Sequence, residues 1–512
     1  MNVIELSVFS SRISAICDEM GVVLQKAAFS PNIRDRLDYS CALFDARGEL
    51  CAQAAHIPVH LGSMAYAMGG IVEDFDWQPG DMVIVNDPYL GGTHLPDITI
   101  IAPLFIDSKL QAFVANRAHH ADIGSHTPGS MPISGSLEEE GIVIPPTRLV
   151  TKGVVDEACL AGIVGQTRSE LQGRGDFAAQ ISANRTGLAR LTKLIEGMGS
   201  VAFNEALLAL NDYAERLALA ALADIPEGEY RFMDFMDDDG LGNHNLPIQA
   251  TVQIQSHRVL VDFAGTAGQT AGNINCPLSV AAAAVYYVFR CLMPDQTPAC
   301  AGSFRPIHIQ APEGCLVNAR RPAAVAAGNV ETSTRIVDVI MGALSQAIPE
   351  RIPAASHGSM NNLAMGGYVG EASWDYYETM GGGMGAGPQQ PGLSGVQTHM
   401  TNTRNTPIEV LESRYPLYIH IYSMRTGSGG AGKRPGGEGL LREIEFLDAT
   451  TVTLLTERRE HAPWGLQGGD PGRAGGNRLN KQLLPAKVCF EAKRGDRLTI
   501  ASAGGGGWGK AL

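Results

Sequence analysis

The sequence predicts an α+β protein with a mixed multi-domain architecture, in which antiparallel and mixed sheets alternate with helical blocks and Gly-rich loops. Segments 170–199 and 201–225 place apolar residues at helical spacing, whereas 248–266 alternates with a period near two. Glycine contributes 60 of 512 residues, above its usual share of about 7%. Many of the glycines lie in clusters, which form tight turns. Two of these clusters, 381–387 and 427–439, could also form a partner interface or line a substrate channel.

The N-terminal part of the chain predicts a helix followed by hairpins. Residues 3–28 have the spacing of an amphipathic helix, and 37–53 alternate around a DARG turn, which is typical of a β-hairpin. Residues 56–75 begin extended and become helical, and 81–88 predict a buried strand that ends in a turn. Residues 97–122 predict strand, turn, strand and then loop.

The remaining segments predict β-structure at 228–240, helices at 278–293 and 319–348, and strands at 442–459. We divide the chain into four regions on this basis. They are a metal-bearing α/β region at 1–165 (the metal is argued below), a helical segment at 166–230, an α/β region at 231–350 and a Gly-rich β region at 351–512.

Composition and charge exclude several classes of function. The net charge is −14, so the chain lacks the basic surface that nucleic-acid binding needs. Glu5, Arg12 and Asp18 interrupt the apolar N-terminus, unlike a signal peptide, and the longest apolar run, 280–289, is too short to span a membrane. Nine cysteines without a CxxC pair argue against a disulfide framework. We therefore predict a soluble, cytoplasmic protein.

Two short, turn-rich stretches concentrate histidine and aspartate. They read NDPYLGGTHLPD (86–97) and HHADIGSH (119–126), and the window 56–126 holds six of the thirteen histidines: His56, His60, His94, His119, His120 and His126. If two strands bring these loops to the same side of a sheet, His94, Asp97 and an imidazole of the second loop form a mixed N/O set that suits Zn²⁺, Mn²⁺ or Fe²⁺. The alternative is a pair of hydrogen-bonded turns, and spacing alone does not decide between them.

Three further motifs have simpler explanations. GSGGAGKR (427–434) fits G-x-x-x-x-G-K, but Arg434 stands where a P-loop has Ser or Thr, so we interpret it as a structured turn. FMDDDG (235–240) lacks the spacing of a calcium loop and is typical of a turn at a strand end. GNVETSTR (328–335) is interpreted as a polar cap before a helix. Three of its side chains could instead reach a substrate: Asn329, Glu331 and Arg335.

Several long motifs in a fixed order resemble the hydantoinase B/oxoprolinase family. Besides NDPYLGGTHLPD they are NIRDRLDYSCALFD (32–45), HIPVHLGSM (56–64), ANRAHHADIGSHTPGSMP (115–132), SRYPL (413–417) and GSGGAGKRPGGEG (427–439). The likeness extends to the terminal GGGGWG and so covers nearly the whole chain. The family includes ATP-dependent hydantoin-, oxoproline- and lactam-hydrolysing enzymes, and one subunit of the acetone and acetophenone carboxylases.

The resemblance implies a divalent metal (Zn, Mn or Fe) in this chain, with His94, Asp97 and His119 as ligands and Asp38 as a further acidic candidate. It also implies an A-type partner of the actin-like ATPase class, which binds ATP and Mg and phosphorylates the carbonyl oxygen of the substrate. Nearby polar residues are candidates for orienting the ligands or transferring protons, namely His120, Asp122 and His126.

The sequence thus predicts the metal-containing B-type subunit of an ATP-dependent cyclic amide hydrolase, which opens a hydantoin, oxoproline or lactam ring as part of a hetero-oligomer. Amide carbonyls are poor electrophiles, and phosphorylation of the oxygen would make the carbon reactive. Two alternatives stay open, a subunit of an ATP-dependent ketone carboxylase and a non-catalytic scaffold partner. A length of 512 residues mildly favours hydrolysis, and the intact metal motifs speak against the scaffold.

Overall fold

The computed structural model describes residues 2–370 and 372–511. That part of the chain contains ten α-helices, which are α1 (Val3–Ala27), α2 (Pro31–Arg34), α3 (Pro58–Asp74), α4 (Glu157–Val164), α5 (Glu170–Met198), α6 (Ser200–Leu222), α7 (Leu278–Leu292), α8 (Ala301–Phe304), α9 (Ser333–Leu344) and α10 (Ile408–Arg414). A capping box begins α1, because the Asn2 side chain accepts from the Glu5 amide while the Glu5 carboxylate accepts from the Asn2 amide.

The first of four sheets has seven antiparallel strands, β1 (Tyr39–Asp45), β2 (Leu50–Ala55), β3 (Met82–Val85), β4 (Asp97–Ile106), β5 (Lys109–His119), β6 (Thr147–Thr151) and β7 (Val154–Val155). Their order across the sheet is β2-β1-β5-β4-β3-β6-β7. The second sheet contains β8 (Gly228–Asp238), β9 (His244–Gln255), β10 (Arg258–Asp262) and β11 (Ile307–Gln310) in the order β11-β10-β9-β8, and its β10–β11 pair is parallel.

The C-terminal part forms two further antiparallel sheets. Their strands are β12 (Asn362–Val369), β13 (Ala372–Glu378), β14 (Leu417–Arg425), β15 (Gly439–Phe446), β16 (Thr450–Leu455), β17 (Gly476–Leu479), β18 (Gln482–Leu484), β19 (Lys487–Ala492) and β20 (Arg497–Ala501). The third sheet has the order β13-β12-β16-β19, and the fourth has the order β14-β15-β20-β17-β18. Both sheets contribute to one apolar core, which includes Leu454 from the third sheet and Ile444 from the fourth.

Helices cover both faces of the first sheet. On one face, α1 and α5 pack against side chains such as Leu43 and Val114, and on the other face α3 packs against Phe44 and Phe113. All seven residues of β1 are therefore buried, which explains why this strand does not alternate between apolar and polar residues. A separate core joins the second sheet to α7 and α9, and α9 is buried along its whole length.

The predicted α+β class and most predicted elements are confirmed, with one helix shorter than expected. The helix predicted at 319–348 does not include 319–325, because Pro322 has no amide hydrogen to donate and the amides of Val325 and Ala326 donate to the Glu140 carboxylate instead. All nine cysteines are free thiols. Among the described residues, no helix has the length and apolar character needed to cross a membrane. The domain bounds and the cytoplasmic location stay predictions.

The glycine-rich segments pack directly on one another. The Gly430 amide donates to the Gly505 carbonyl (2.8 Å), the Gly505 amide to the Gly437 carbonyl (2.9 Å), and the Gly437 amide to the Met384 carbonyl (2.9 Å). A Cβ atom at position 505 would lie only 2.0 Å from the Met384 carbonyl oxygen. The segments thus form backbone layers that are too close together to admit side chains.

We expect Gly505→Ala to lower the free energy of unfolding by about 3 kcal/mol, because its methyl group would meet backbone atoms that no rotamer change can move. Gly476→Ala is the matched control in the same region, since a Cβ there has no atom within 4 Å. Urea denaturation of both variants measures the difference. Equal stability of the two variants would contradict the close packing.

Candidate metal centre

Three strand ends meet at one end of the first sheet. β5 lies between β1 and β4 and is antiparallel to both, so its last residue faces the first residues of its neighbours. His119 ends β5 and pairs with Asp97, which begins β4. The His119 amide donates to the carbonyl of Asp38, the residue just before β1 (3.0 Å). Strand register therefore brings these three residues together from positions far apart in the sequence.

His94 reaches the same place from the turn that precedes β4. Gly91 adopts a left-handed φ of 96°, which lets the chain reverse after the short helical turn Pro88–Leu90. The Asn86 side-chain amide then donates to the Leu95 carbonyl (2.8 Å) and holds the loop closed. His94 lies three residues before Asp97 in the chain, and the loop conformation brings its Nε2 atom to 3.2 Å from Asp97 Oδ1.

The three side chains form a compact buried group. His94 Nε2 and His119 Nδ1 each lie 3.2 Å from Asp97 Oδ1, and one nitrogen or oxygen atom from each residue lies within 4.8 Å of the other two. Together with Asp38 they line a cavity of about 20 Å³. That volume is roughly what one water molecule or one ion requires.

The hydrogen bonds of the two histidines leave two nitrogen lone pairs free. His94 Nδ1 donates to the Ala326 carbonyl (3.3 Å), and His119 Nδ1 donates to Asp97 Oδ1. In its neutral form each Nε2 atom therefore carries a lone pair. His119 Nε2 makes no hydrogen bond with any residue that the structure describes, and His94 Nε2 has the Asp97 carboxylate beside it (3.2 Å) without hydrogen-bond geometry. Buried polar atoms without partners are rare and costly, and this donor set fits a divalent metal.

Further side chains surround the Asp97 carboxylate. His60 on α3 places Nε2 3.2 Å from Oδ2, and the Thr93 hydroxyl donates to the same oxygen (2.5 Å). The Asn329 amide approaches it at 3.4 Å. These contacts fix the orientation of the carboxylate, which is how the surroundings of a metal ligand commonly act.

Burial and neighbouring charges shift the pKa values of Asp97, His119 and His94 in different directions. Burial opposes ionisation of Asp97, but the charges of His94 and His60 outweigh it and hold the pKa of Asp97 well below its usual range. Burial lowers the pKa of His119. For His94, burial is outweighed by the charge of the adjacent Asp97 carboxylate, so its pKa is raised. The carboxylate is thus ionised at neutral pH, as a metal ligand must be.

The other three candidates lie outside this cavity. His120 is buried against Phe177 and hydrogen-bonds Gln180 through Nε2 (2.9 Å). Asp122 accepts from the amide of Arg168 and forms an ion pair with its guanidinium, and His126 is exposed. The roles predicted for His120, Asp122 and His126 in orienting ligands or transferring protons gain no support from this geometry.

A hydrogen-bonded chain connects the cavity wall to a buried carboxyl group. The Tyr377 ring stacks on His119 with centroids 4.8 Å apart, and its hydroxyl donates to Asn362 Oδ1 (2.6 Å). The Asn362 amide donates to Glu331 Oε1 (2.7 Å), which also accepts from the Met360 amide (3.0 Å). Because Tyr377 and Met360 both line the cavity, Glu331 holds two parts of its wall.

We expect the stability of the chain to depend on pH through Glu331. Burial, with the charge of Glu457, raises the pKa of Glu331 from 4.5 to about 8. A carboxyl group whose pKa is raised in the folded state contributes stability that is fully present below pH 4.5. This contribution is lost as the pH rises through about 8, and the free energy of unfolding then falls by at most about 1.4 kcal/mol per pH unit. Unfolding free energies of wild type and Glu331→Gln, measured from pH 5 to 9, should therefore differ in slope. Glu205→Gln at an exposed position is the control, and parallel curves for wild type and Glu331→Gln would contradict the assignment.

The remaining motifs have structural explanations. The loop GSGGAGKR leads to β15 and not to a helix, and the amides of Ser428 and Gly429 donate to the Glu438 carboxylate. FMDDDG ends β8, where the Asp237 carboxylate accepts from backbone amides, including that of Arg459. Both turn interpretations are confirmed.

The capping interpretation of GNVETSTR is wrong. No side chain caps α9, and residues Gly328–Thr332 form a π-helical turn that directs Asn329 toward Asp97. Arg335 lies buried against the Glu457 carboxylate (3.2 Å). Sequence reasoning also did not single out the roles of His60 and Tyr377. The histidine-rich window contains His60, but no local signal marks Tyr377.

Comparisons with known proteins show what the chain is similar to. A family model described as hydantoinase B/oxoprolinase matches residues 2–511. An uncharacterized protein of Methanocaldococcus jannaschii is 41% identical over 99% of this chain and 91% of its own length. A Pseudomonas sp. protein, named as the putative B-type subunit of a D-/L-hydantoinase, is 32% identical over 99% of this chain and 90% of its own length. The 5-oxoprolinase 1 of Arabidopsis thaliana is 39% identical over 99% of this chain, which spans only 42% of that longer relative.

Two solved structures share the fold. The ATP-dependent caprolactamase from Pseudomonas jessenii has a TM-score of 0.93 and 27% identity, covering 100% of this chain and 91% of that chain. A nucleotide-free acetone carboxylase has a TM-score of 0.87 at 19% identity, covering 98% of this chain and 74% of that chain. The second similarity concerns the fold alone.

Proposed function

This chain belongs to the hydantoinase B/oxoprolinase family, and from that premise we propose that it is the metal-bearing B-type subunit of an enzyme that opens cyclic amides with the use of ATP. The observation that carries the proposal is the buried group of His94, Asp97 and His119, whose two Nε2 atoms make no hydrogen bond within the part of the chain that the structure describes. Relatives named as a 5-oxoprolinase, a hydantoinase and a caprolactamase all point to cyclic amides as the class of substrate.

The side chains have distinct roles in this proposal. His94, Asp97 and His119 hold a Zn, Mn or Fe ion, and Asp38 adds a further carboxylate at the wall of the same cavity. When bound, such an ion acts as a Lewis acid and lowers the pKa of water. His60, Thr93 and Asn329 keep the Asp97 carboxylate oriented, and burial of the group excludes bulk solvent.

We also propose that ATP and Mg bind to an A-type partner of the actin-like ATPase class, which phosphorylates the substrate carbonyl oxygen. The loop GSGGAGKR offers no alternative site, since the amides of Ser428 and Gly429 already donate to Glu438. The Pseudomonas sp. relative is named as one subunit of a hydantoinase, and this supports an enzyme built from more than one chain. The cytoplasm is the proposed location.

The test is to purify the chain with its A-type partner and supply 2-pyrrolidone-5-carboxylate, hydantoin or caprolactam with and without ATP. We expect ring opening that requires ATP and both chains, with ADP formed in proportion to product. Ketone carboxylation that requires bicarbonate, without ring opening, would favour the carboxylase alternative. Ring opening by the partner alone would favour the scaffold alternative.

A further inference from the structure

A second, larger cavity adjoins the candidate metal centre. It has a volume of about 700 Å³, within the range of small-molecule sites. We name it the Arg404 pocket, and its wall includes Leu37, His56, Gln397, Asn402, Thr403 and Arg404 together with glycine-rich segments. The wall thus combines apolar groups, backbone and a few polar side chains, as substrate sites do.

The Arg404 pocket and the metal cavity share a wall. Leu37, His56 and Asn402 line the pocket, and the residues beside them in the chain (Asp38, Ile57 and Thr401) line the metal cavity. Thr379 lines the metal cavity, and its hydroxyl lies 2.6 Å from that of Thr403 in the pocket. A molecule held in the pocket would therefore lie next to the metal cavity.

The charge of the pocket is opposite to that of the protein as a whole. The chain has a net charge of −14, yet no aspartate or glutamate lines the pocket. Arg404 is exposed, and its guanidinium makes no hydrogen bond or ion pair within residues 2–370 and 372–511. A free guanidinium in a pocket without carboxylates is suited to a carboxylate or phosphoryl group.

Gln397 adds an unused hydrogen-bond acceptor to the same pocket. Its amide nitrogen donates to the Thr379 hydroxyl (3.2 Å), while its Oε1 atom is buried without a partner among the described residues. A cyclic amide carries a ring N–H group that can donate a hydrogen bond to such an oxygen.

Another cavity, of about 890 Å³, lacks these properties. None of its lining residues is next in the chain to a residue that lines the metal cavity. Its two arginines are already paired, because Arg320 contacts Glu313 (2.7 Å) and Arg321 contacts Asp87. Asp74 adds a negative charge to its wall.

We propose that the Arg404 pocket is the substrate site, which takes a small cyclic amide with an anionic group held by Arg404 and its ring N–H directed to Gln397 Oε1. The anionic group is either a carboxylate on the intact cyclic amide, whose ring N–H then donates to Gln397 Oε1, or the phosphoryl group on the activated carbonyl oxygen, whose ring nitrogen donates to Gln397 Oε1 only while it keeps its proton as an iminium cation. This inference rests on the proposed function and adds to it the charge class of the bound species.

The experiment is calorimetric titration of the purified full chain with three probes: 2-pyrrolidone-5-carboxylate, 2-pyrrolidone and inorganic phosphate. We expect at least one anion to bind, and Arg404→Ala to weaken it about tenfold or more, since hydrogen bonds to charged groups are the strong ones. Arg404→Lys should recover part of the affinity. Arg258→Ala, at an exposed arginine on β10, is the matched control. The metal content of each variant is measured alongside.

The probes distinguish the two sources of the anion. Selective binding of 2-pyrrolidone-5-carboxylate over 2-pyrrolidone assigns Arg404 to a ring carboxylate, and binding of phosphate assigns it to the phosphoryl group. No binding of either anion, or equal binding by Arg404→Ala with its metal retained, would overturn the proposal. If the enzyme opens rings with ATP but Arg404→Ala binds the anion as wild type does, the proposed function holds and the Arg404 pocket is not the substrate site. If anion binding depends on Arg404 but the chain has neither metal nor turnover, the pocket binds anions and the proposed function fails.

Discussion

His94→Ala and His119→Ala are expected to purify with less than about a tenth of the divalent metal held by wild type, which should contain about one ion per chain. Each substitution removes one of the two imidazoles whose Nε2 atoms make no hydrogen bond among the described residues. ATP-dependent ring opening should fall more than about a hundredfold, because even residues that only orient metal ligands cost about 10- to 100-fold when changed. Elemental analysis by mass spectrometry measures the metal independently of activity.

Two further variants sharpen this test. His60→Ala removes a contact to Asp97 rather than a proposed ligand, so it should keep part of the metal and lose it more readily to a chelator. His308→Ala changes an exposed histidine on β11 and should match wild type in metal and activity. Full metal content in His94→Ala and His119→Ala would refute the proposed ligand set.

Arg458→Leu is expected to lower the free energy of unfolding by about 3–5 kcal/mol, the usual result of removing one partner from a buried ion pair. The Arg458 guanidinium is fully buried and contacts Asp234 (2.8 Å) and Asp338. Its loss would leave two carboxylates in the interior with less positive charge nearby. Arg335, 3.7 Å from Asp234, replaces only part of it.

The pH dependence of this loss has a defined sign. Burial alone would raise the pKa of Asp234, but the charge of Arg458 outweighs it, so the pKa lies below 3.8. A depressed pKa contributes stability above pH 3.8 that disappears as the pH falls through the folded-state pKa. Denaturation with guanidinium chloride at pH 7 should therefore give a lower free energy of unfolding for Arg458→Leu than for wild type. This difference in free energy should become smaller in acid. Arg494→Leu, at an exposed site, is the control, and a loss below about 1 kcal/mol at pH 7 would contradict the role of Arg458.

The local part of the site was accessible from sequence. The strand, turn and strand predicted within 97–122 correspond to the β4–β5 hairpin, and an antiparallel hairpin pairs its first residue with its last, which are Asp97 and His119. His94 follows from its place three residues before Asp97. The motif resemblance added Asp38, which the register of β1 with β5 then brings beside His119.

The rest of the site depends on contacts between distant segments. Asn329 lies 232 positions from Asp97, and the Arg36 guanidinium donates to the Tyr377 carbonyl across 341 positions. No periodicity or spacing encodes such contacts, because they arise only when separate sheets pack together. GNVETSTR shows the effect, since its polar residues resemble a local cap but satisfy partners in other parts of the chain, such as Asp97 and Asn362.

The order of these segments along the chain also has a consequence for synthesis. His94, Asp97 and His119 leave the ribosome early, whereas Asn329 and Tyr377, which close the cavity, follow more than 200 residues later. At typical elongation rates that interval lasts on the order of tens of seconds. Under the proposed function, the hairpin that carries His94, Asp97 and His119 is therefore open to cellular metal in the nascent chain before its cover exists, and the ion can be acquired before the last sheets enclose it.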